Sequence, residues 1–395
     1  MRPSLLAFFI SLLIPHAAAA SDLTQVKTVF VIMEENHEWS LVNSSSMPYL
    51  VNTLLPQASY CTNYRGGDNG ALHPSEPNYL WFDAGTNFGI TNDDPPLDNR
   101  INSGAHLETL LSNAGHSWRY YQEDISPGTC PLDSVGNYTP KHDASLFFDD
   151  DTGPSAPSAS SAYCIANNVP FTQLASDLSH GTVADYNFIT PNKQDNMHDG
   201  TMAQADAWLQ AIVPAILASS AYQNGGCLMI TWDEAYDASG ATTSNPIGMI
   251  VLSPLAKGGG YNNAVAYSHS SALKSIEEAF GLSPLLGDAA SPGTADLSDL
   301  FIGGVKPSPV PADTSGSGGA ILLGPVPVTG KEPLCLHGGD GAHVDVYSLS
   351  GAKVASFSAA SGQACWDHQG IIAGVYAAHI RTGVTQRVQK IVILR

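Results

Sequence analysis

Thr28-Val29-Phe30-Val31-Ile32-Met33 is an apolar, β-branched run, and Glu34-Glu35-Asn36-His37 follows it at once. A strand with one wet face alternates apolar with polar residues, so a run without alternation reads as a strand covered on both faces. Cys227-Leu228-Met229-Ile230-Thr231 has the same character and leads into Trp232-Asp233-Glu234. Working outward, strands are expected at residues 59–64, 117–121, 186–189 and 247–252. Helices are expected at 47–55, 106–114, 171–178, 204–218 and 270–280, with Gly115 and Gly281 as C-caps. Pro214 predicts a kink or break in the fourth of these helices. Strands alternating with helices define an α/β domain: a mostly parallel central sheet flanked by helices.

Residues 1–20 read as a signal peptide. Arg2 is its positive start, residues 5–14 are an apolar stretch too short to span a bilayer, and Ala17 to Ala20 offer a small-residue cleavage site. An uncleaved membrane anchor is the alternative, but no stop-transfer pattern follows. The chain is therefore expected to be exported, to the periplasm, cell surface or medium, with cleavage near Ala20, and to contain no transmembrane segment. With Asp+Glu 36 against Lys+Arg 16, the formal charge is −20. No basic stripe exists to displace counterions, which argues against a nucleic-acid partner.

The six cysteines fit an oxidising compartment. Cys335–Cys365 and Cys130–Cys164 are the expected bridges, and Cys61 and Cys227 are either a third bridge or two buried thiols. Residues 143–161, rich in Asp, Ser, Pro and Ala, read as a surface insertion. Residues 306–331 are rich in Pro, Gly and Ser and read as a linker between a catalytic domain at 21–305 and a C-terminal domain at 332–395. That last segment has short alternating runs between Gly turns, the pattern of a small all-β sandwich.

In an α/β sheet functional groups gather where strands end. Here Glu35 and Asn36 follow one strand, Asp233 and Glu234 another, and His198 and Asp199 lie beyond a third; His269 precedes the last helix. Carboxylates, an amide and imidazoles converging from several strand ends suit a divalent cation. The sharpest segment is Leu72-His73-Pro74-Ser75-Glu76-Pro77-Asn78-Tyr79. A serine between two prolines suits a rigid turn at a helix N-terminus, where backbone N–H groups face an anion. Beside a metal its hydroxyl would attack phosphorus, with Asn78 donating to a non-bridging oxygen. The bland reading makes Ser75 a proline-braced helix cap.

At these residues the chain resembles the phosphoesterase family of secreted acid phosphatases and bacterial phospholipases C, distant relatives of the alkaline phosphatase superfamily. The motifs that carry the resemblance are Glu34-Glu35-Asn36-His37, His73-Pro74-Ser75-Glu76-Pro77-Asn78-Tyr79, Pro191-Asn192 with Met197-His198-Asp199-Gly200, Thr231-Trp232-Asp233-Glu234 and Tyr267-Ser268-His269-Ser270, in that order. The resemblance implies an alkaline phosphatase-like fold. It implies a metal shell of Glu35, Asn36, Asp233 and Glu234, with Ser75 as nucleophile and ligand. It places His198, Asp199 and His269 either in a second metal site or in contact with phosphate and leaving group. His73 then supports the phosphate or the serine. Two-metal relatives carry Asp-His where this chain has Asp233-Glu234, so one metal is favoured. The C-terminal segment resembles immunoglobulin-like domains of exported bacterial proteins and implies surface retention, secretion or carbohydrate contact.

The function expected is a metal-dependent hydrolase of small phosphate esters, an acid phosphatase acting through Ser75. The alternatives are a phospholipase C and a non-enzymatic surface or adhesion protein.

Overall fold

The computed structural model describes residues 22–153 and 157–303, and beyond them strand segments between Leu322 and Ile393. The signal peptide and most of the linker lie outside the described residues. Two compact units divide the chain, Met1–Pro309 and Val310–Arg395.

In the first unit the expected sheet forms from eight strands. In chain order they are β1 (Thr28–Glu34), β2 (Ser59–Cys61), β3 (Trp118–Gln122), β4 (Asn168–Pro170), β5 (Tyr186–Thr190), β6 (Gly226–Trp232), β7 (Met249–Leu252) and β8 (Tyr261–Asn263). Their order across the sheet is β8-β2-β7-β6-β1-β5-β3-β4. Among the described residues of this sheet only β7 runs antiparallel to its neighbours. Every residue of β5, β6 and β7 is buried, which is why their sequences show no polar alternation.

Register decides where the chemistry gathers. β1 and β6 pair in parallel from Thr28 opposite Gly226 to Glu34 opposite Trp232. The next residues, Glu35 and Asp233, therefore leave the sheet side by side, and Asp233 N donates to Glu34 O at 3.0 Å.

Five longer helices matter here: α1 (Ser75–Ala84), α2 (Leu107–Ala114), α3 (Leu174–His180), α4 (Met202–Ala218) and α5 (His269–Ala279). The helix read at 47–55 closes on a π-helical turn, Leu50–Leu54, whose entry is held by Asp206 accepting from Tyr49 N and Leu50 N at 2.8 Å. Two expectations are corrected. α4 is not broken at Pro214 but continues as one helix through it, started by a capping box between Thr201 and Gln204. The first half of the segment read as a surface insertion, residues 143–152, is not one: Ala144, Ser145, Leu146, Phe147 and Phe148 are buried, and a strand-like bridge joins Phe148 to Ile101, while Ser158, Ala159 and Ser160 are exposed as expected. The polar composition misleads because its acids are paired, buried Asp149 with Arg100 and the more exposed Asp150 with buried His106.

Cys130 and Cys164 form the expected disulfide, while Cys61 and Cys227 are separate buried thiols. In the second unit Leu322–Leu323, Leu334–His337 and Gln363–Trp366 form one antiparallel sheet. His343–Ser348, Lys353–Ser358, Gly374–Thr382 and Thr385–Ile393 form another. A short strand thus lies inside the stretch read as linker. The register sets Cys335 opposite Cys365, but their side chains lie outside the described ones.

α5 carries a testable strain on stability. Glu277 is fully buried; its Oε1 accepts from Leu286 N at 2.7 Å, while Oε2 meets no donor. Burial pushes its carboxyl up to about 8. The unfolded chain releases this proton near pH 4 and the folded chain keeps it, so stability falls as pH rises from about 4 to about 8. Glu277→Gln removes that loss: it is expected to raise Tm by about 3 °C at pH 7.5 and to leave it unchanged at pH 4. An equal shift at both pH values in thermal melts would exclude titration as the cause.

Candidate active site

Four chain segments meet beyond the ends of β1, β5 and β6. Asn36 turns the chain out of β1 with φ of 52°, and its backbone N–H donates to Asp233 Oδ1 at 3.0 Å. This places the Asn36 amide beside the Asp233 carboxylate. Asn36 Oδ1 and Asp233 Oδ2 are both buried and neither has a hydrogen-bond partner. Each such oxygen is costly to bury unless a donor or a cation meets it.

Ser75 is the first residue of α1, preceded by Pro74 at the N-cap, which has no capping side chain of its own. Its hydroxyl donates to Glu35 Oε2 at 3.0 Å and lies 3.4 Å from Glu234 Oε1. The capping reading therefore fails on geometry. Asp93 does that work, accepting from Glu76 N at 2.9 Å.

The turn ahead of Ser75 is held by Asn78. Its Oδ1 accepts from Gly67 N at 2.8 Å, and its amide donates to Leu72 O at 3.1 Å and Pro74 O at 3.2 Å. Gly66 is required there, because a Cβ would sit 2.7 Å from Asp233 O and 2.9 Å from Asn78 Oδ1. His73 Nδ1 lies 2.5 Å from Glu234 Oε2 and its Nε2 lies 3.2 Å from Thr243 O. Its bond to Glu234 raises the His73 pKa. Burial, then the Asp233 charge, raises Glu234 to about 7.

His269, at the start of α5, is fully buried: Nε2 donates to Asp233 O at 2.9 Å and Nδ1 accepts from Tyr64 OH at 2.9 Å. Burial lowers it to about 4, so it is neutral. With both nitrogens engaged, it fixes the Asp233 peptide.

Across Glu35 stands a second set of groups, of which the sequence singled out His198 and Asp199 but not Tyr79, Lys141 or His142. Tyr79 OH donates to Glu35 Oε1 at 2.6 Å, and its ring stacks on His142 at 5.2 Å. His142 Nε2 lies 3.2 Å from the same oxygen, has no hydrogen-bond partner, and burial holds its pKa well down. His198 faces it, with ring centroids 5.7 Å apart. Lys141 Nζ donates to Asp93 Oδ2 at 2.8 Å and approaches His198 Nε2 at 3.2 Å. Burial opposes its charge, but Asp93 and Glu35 outweigh it and raise the Lys141 pKa. Asp199, more exposed, lies 2.7 Å from His198 Nδ1 and orients that ring. Glu35, His142 and His198 offer one ligand atom each within 4.8 Å of one another. A cavity of about 230 Å³ opens beside Lys141, lined also by Asp93, Asp94 and Asp133.

A buried serine hydroxyl against a carboxylate, unpartnered oxygens beside it and a fixed ammonium nearby, all at the ends of a parallel sheet, is equipment for acting on a phosphoric ester. The chain belongs to the phosphoesterase family, whose pattern matches residues 68–283, and it is a phosphoric ester hydrolase. This sets aside the non-enzymatic alternative. The chain is 29% identical over 285 residues to phosphatidylinositol-3-phosphatase of Mycobacterium tuberculosis, covering 71% of this chain and 86% of that one. It is 25% identical over 320 residues to a probable acid phosphatase of Kluyveromyces lactis, covering 76% and 71%. Among solved structures, a protein in the alkaline phosphatase superfamily from Vibrio parahaemolyticus aligns with 92% of this chain and 82% of its own at TM-score 0.42 and 9% identity.

Proposed function

We propose that this chain is an exported, metal-dependent phosphomonoesterase of the acid phosphatase kind, with Ser75 as nucleophile. The observation that carries the reading is the Ser75 hydroxyl, which does not cap its own helix but donates to Glu35 at 3.0 Å, on a site where buried oxygens of Asn36 and Asp233 are left without a partner. Glu35, Asn36 and Asp233, with Glu234 behind them, fit one divalent cation: carboxylates supply charge and the amide a neutral oxygen. Bound there, a divalent cation lowers the pKa of a neighbouring hydroxyl and offsets phosphate charge.

The chain's own residues do the rest. Glu35 and Glu234 stand within reach of the serine proton. Lys141, His142 and His198 line the opposite side, where phosphate oxygens need positive charge or donors. Asn78, His73, Asp199 and His269 act as positioning residues, on the turn, Glu234, His198 and the Asp233 peptide respectively. The formed Cys130–Cys164 bridge supports an oxidising compartment. Among the described residues no helix is long and apolar enough to cross a membrane.

The relatives reported above are phosphatases by name, which favours a monoesterase over a phospholipase C. Assay of a chromogenic phosphomonoester, a phosphocholine ester and a sulfate ester tests this. The monoester is expected to turn over fastest, and preferred cleavage of the phosphocholine ester would replace the proposal with the phospholipase reading.

A further inference from the structure

The helix that begins with Ser75 carries a buried carboxyl near its other end. Asp83, near the C-terminus of α1, is 1% exposed, and neither of its carboxylate oxygens meets a donor. It lies among residues from three other elements. His106 is the N-cap of α2 and Glu108 lies in its first turn. Asp150 and Asp151 come from the short helical turn Asp149–Thr152. Tyr120 comes from β3.

The cluster is tightly built. His106 Nδ1 lies 2.9 Å from Glu108 Oε2 and its Nε2 3.0 Å from Asp150 Oδ1, while the ring stacks on Phe148 at 3.9 Å. Tyr120 OH donates to Glu108 Oε1 at 2.7 Å, and Thr109 Oγ1 donates to Asp150 Oδ2 at 2.6 Å. Asp151 Oδ2 is a further buried oxygen without a donor.

Charge does not balance within this group. Four carboxylates, Asp83, Glu108, Asp150 and Asp151, stand against one imidazole, and all but Asp150 are buried. Uncompensated buried charge is expensive, so the cluster must take up either protons or a cation. Burial pushes the carboxyls of Asp83 and Asp151 well up, in keeping with either remedy.

The donor geometry favours a cation. One atom each of Asp83, His106 and Glu108 lies within 4.8 Å of the others. Ligands about 2.0–2.4 Å from a common ion are separated by no more than about 4.8 Å. Asp83 adds two buried oxygens that meet no donor from another residue, and its carboxyl stands within hydrogen-bond reach of the Glu108 carboxylate, a pairing of two acids that needs a proton or a cation between them.

We propose that Asp83, His106 and Glu108 hold a divalent transition-metal ion, of the zinc or manganese kind, at a structural site separate from the one beside Ser75. Mixed imidazole and carboxylate ligation suits these ions better than calcium, which takes oxygen alone. On binding, Nδ1 of His106 gives up its proton to solvent and turns its lone pair to the ion. The ion ties the far end of α1 to α2 and so braces the helix that presents Ser75. The inference does not depend on a metal at Asp233.

The test uses the full chain, stripped with a chelator and dialysed to equilibrium against Zn²⁺ or Mn²⁺, with bound metal measured by mass spectrometry. Asp83→Asn and Glu108→Gln are each expected to bind one equivalent fewer than wild type. Metal return is expected to raise the wild-type Tm by about 5 °C more than that of Asp83→Asn. If these variants fail to fold, anomalous diffraction at the metal edge from wild-type crystals decides, with a peak expected between Asp83, His106 and Glu108. Equal metal content in wild type and Asp83→Asn, or no anomalous peak at the cluster, would overturn the proposal and leave the carboxylates balanced by protons.

Discussion

Ser75→Ala is expected to cut turnover of a chromogenic phosphomonoester by about 10⁴-fold or more, the scale seen when a catalytic nucleophile is lost. The fold should survive. The substitution removes one oxygen from a side chain that makes no helix cap, and alanine is a good residue for a first helical turn. Glu35 keeps its bond from Tyr79, so its carboxylate is not left bare. In the proposed reaction Ser75 Oγ forms a bond to phosphorus as the bond to the leaving oxygen breaks, and the serine proton passes to a facing carboxylate. Water then cleaves the phosphoserine and frees the enzyme. Two displacements should retain configuration at a chiral phosphorus and permit transfer to an added alcohol. The rival mechanism is direct attack by water, which inverts configuration and leaves Ser75 a bystander. Near-native turnover by the alanine variant, or inversion by the wild type, would eliminate the covalent route.

The sequence was most readable where burial is complete. The runs that became β1, β5, β6 and β7 are apolar because both faces are covered, and their ends locate Glu35, Asn36, Asp233 and Glu234 without a structure. Ser75 stood out because two prolines restrict its backbone. Lys141 and His142 were not readable. They sit on a single 3-10 turn, Pro140–His142, too short for any periodicity, and reach the site by a contact spanning more than a hundred residues. The adjoining stretch looked like a solvated insertion because composition cannot show that Asp149 and Asp150 are paired. Tyr79 lies within the serine motif, but only the fold turns its hydroxyl to Glu35. His269 and Asn78 were recognisable as important, but most of their hydrogen-bond partners are backbone groups that sequence does not reveal, with Tyr64 OH the partner of the second His269 nitrogen.

Asp233→Asn isolates the metal proposal, because it changes charge and almost nothing else. The residue leaves β6 beside Glu35, and its Oδ1 accepts from Asn36 N while Oδ2 meets no partner. Asparagine keeps the side-chain shape and an oxygen that can accept from Asn36. It puts an amide where the second carboxylate oxygen stood, and it takes one negative charge from the ligand set. A divalent ion bound by Glu35, Asn36 and Asp233 loses half its carboxylate charge in this variant. Metal content is therefore expected to fall by one equivalent. Turnover should fall by more than the 10–100-fold typical of losing an outer-shell partner. Stability should move the other way or hardly at all, since burial already raises the Asp233 carboxyl and a neutral amide costs less to bury. The structural site at Asp83 makes a built-in control: its ion should remain when the ion at Asp233 is lost. Lower activity with unchanged metal content would mean that Asp233 acts without binding an ion. Full activity in chelator-stripped wild type would remove the metal from the mechanism altogether.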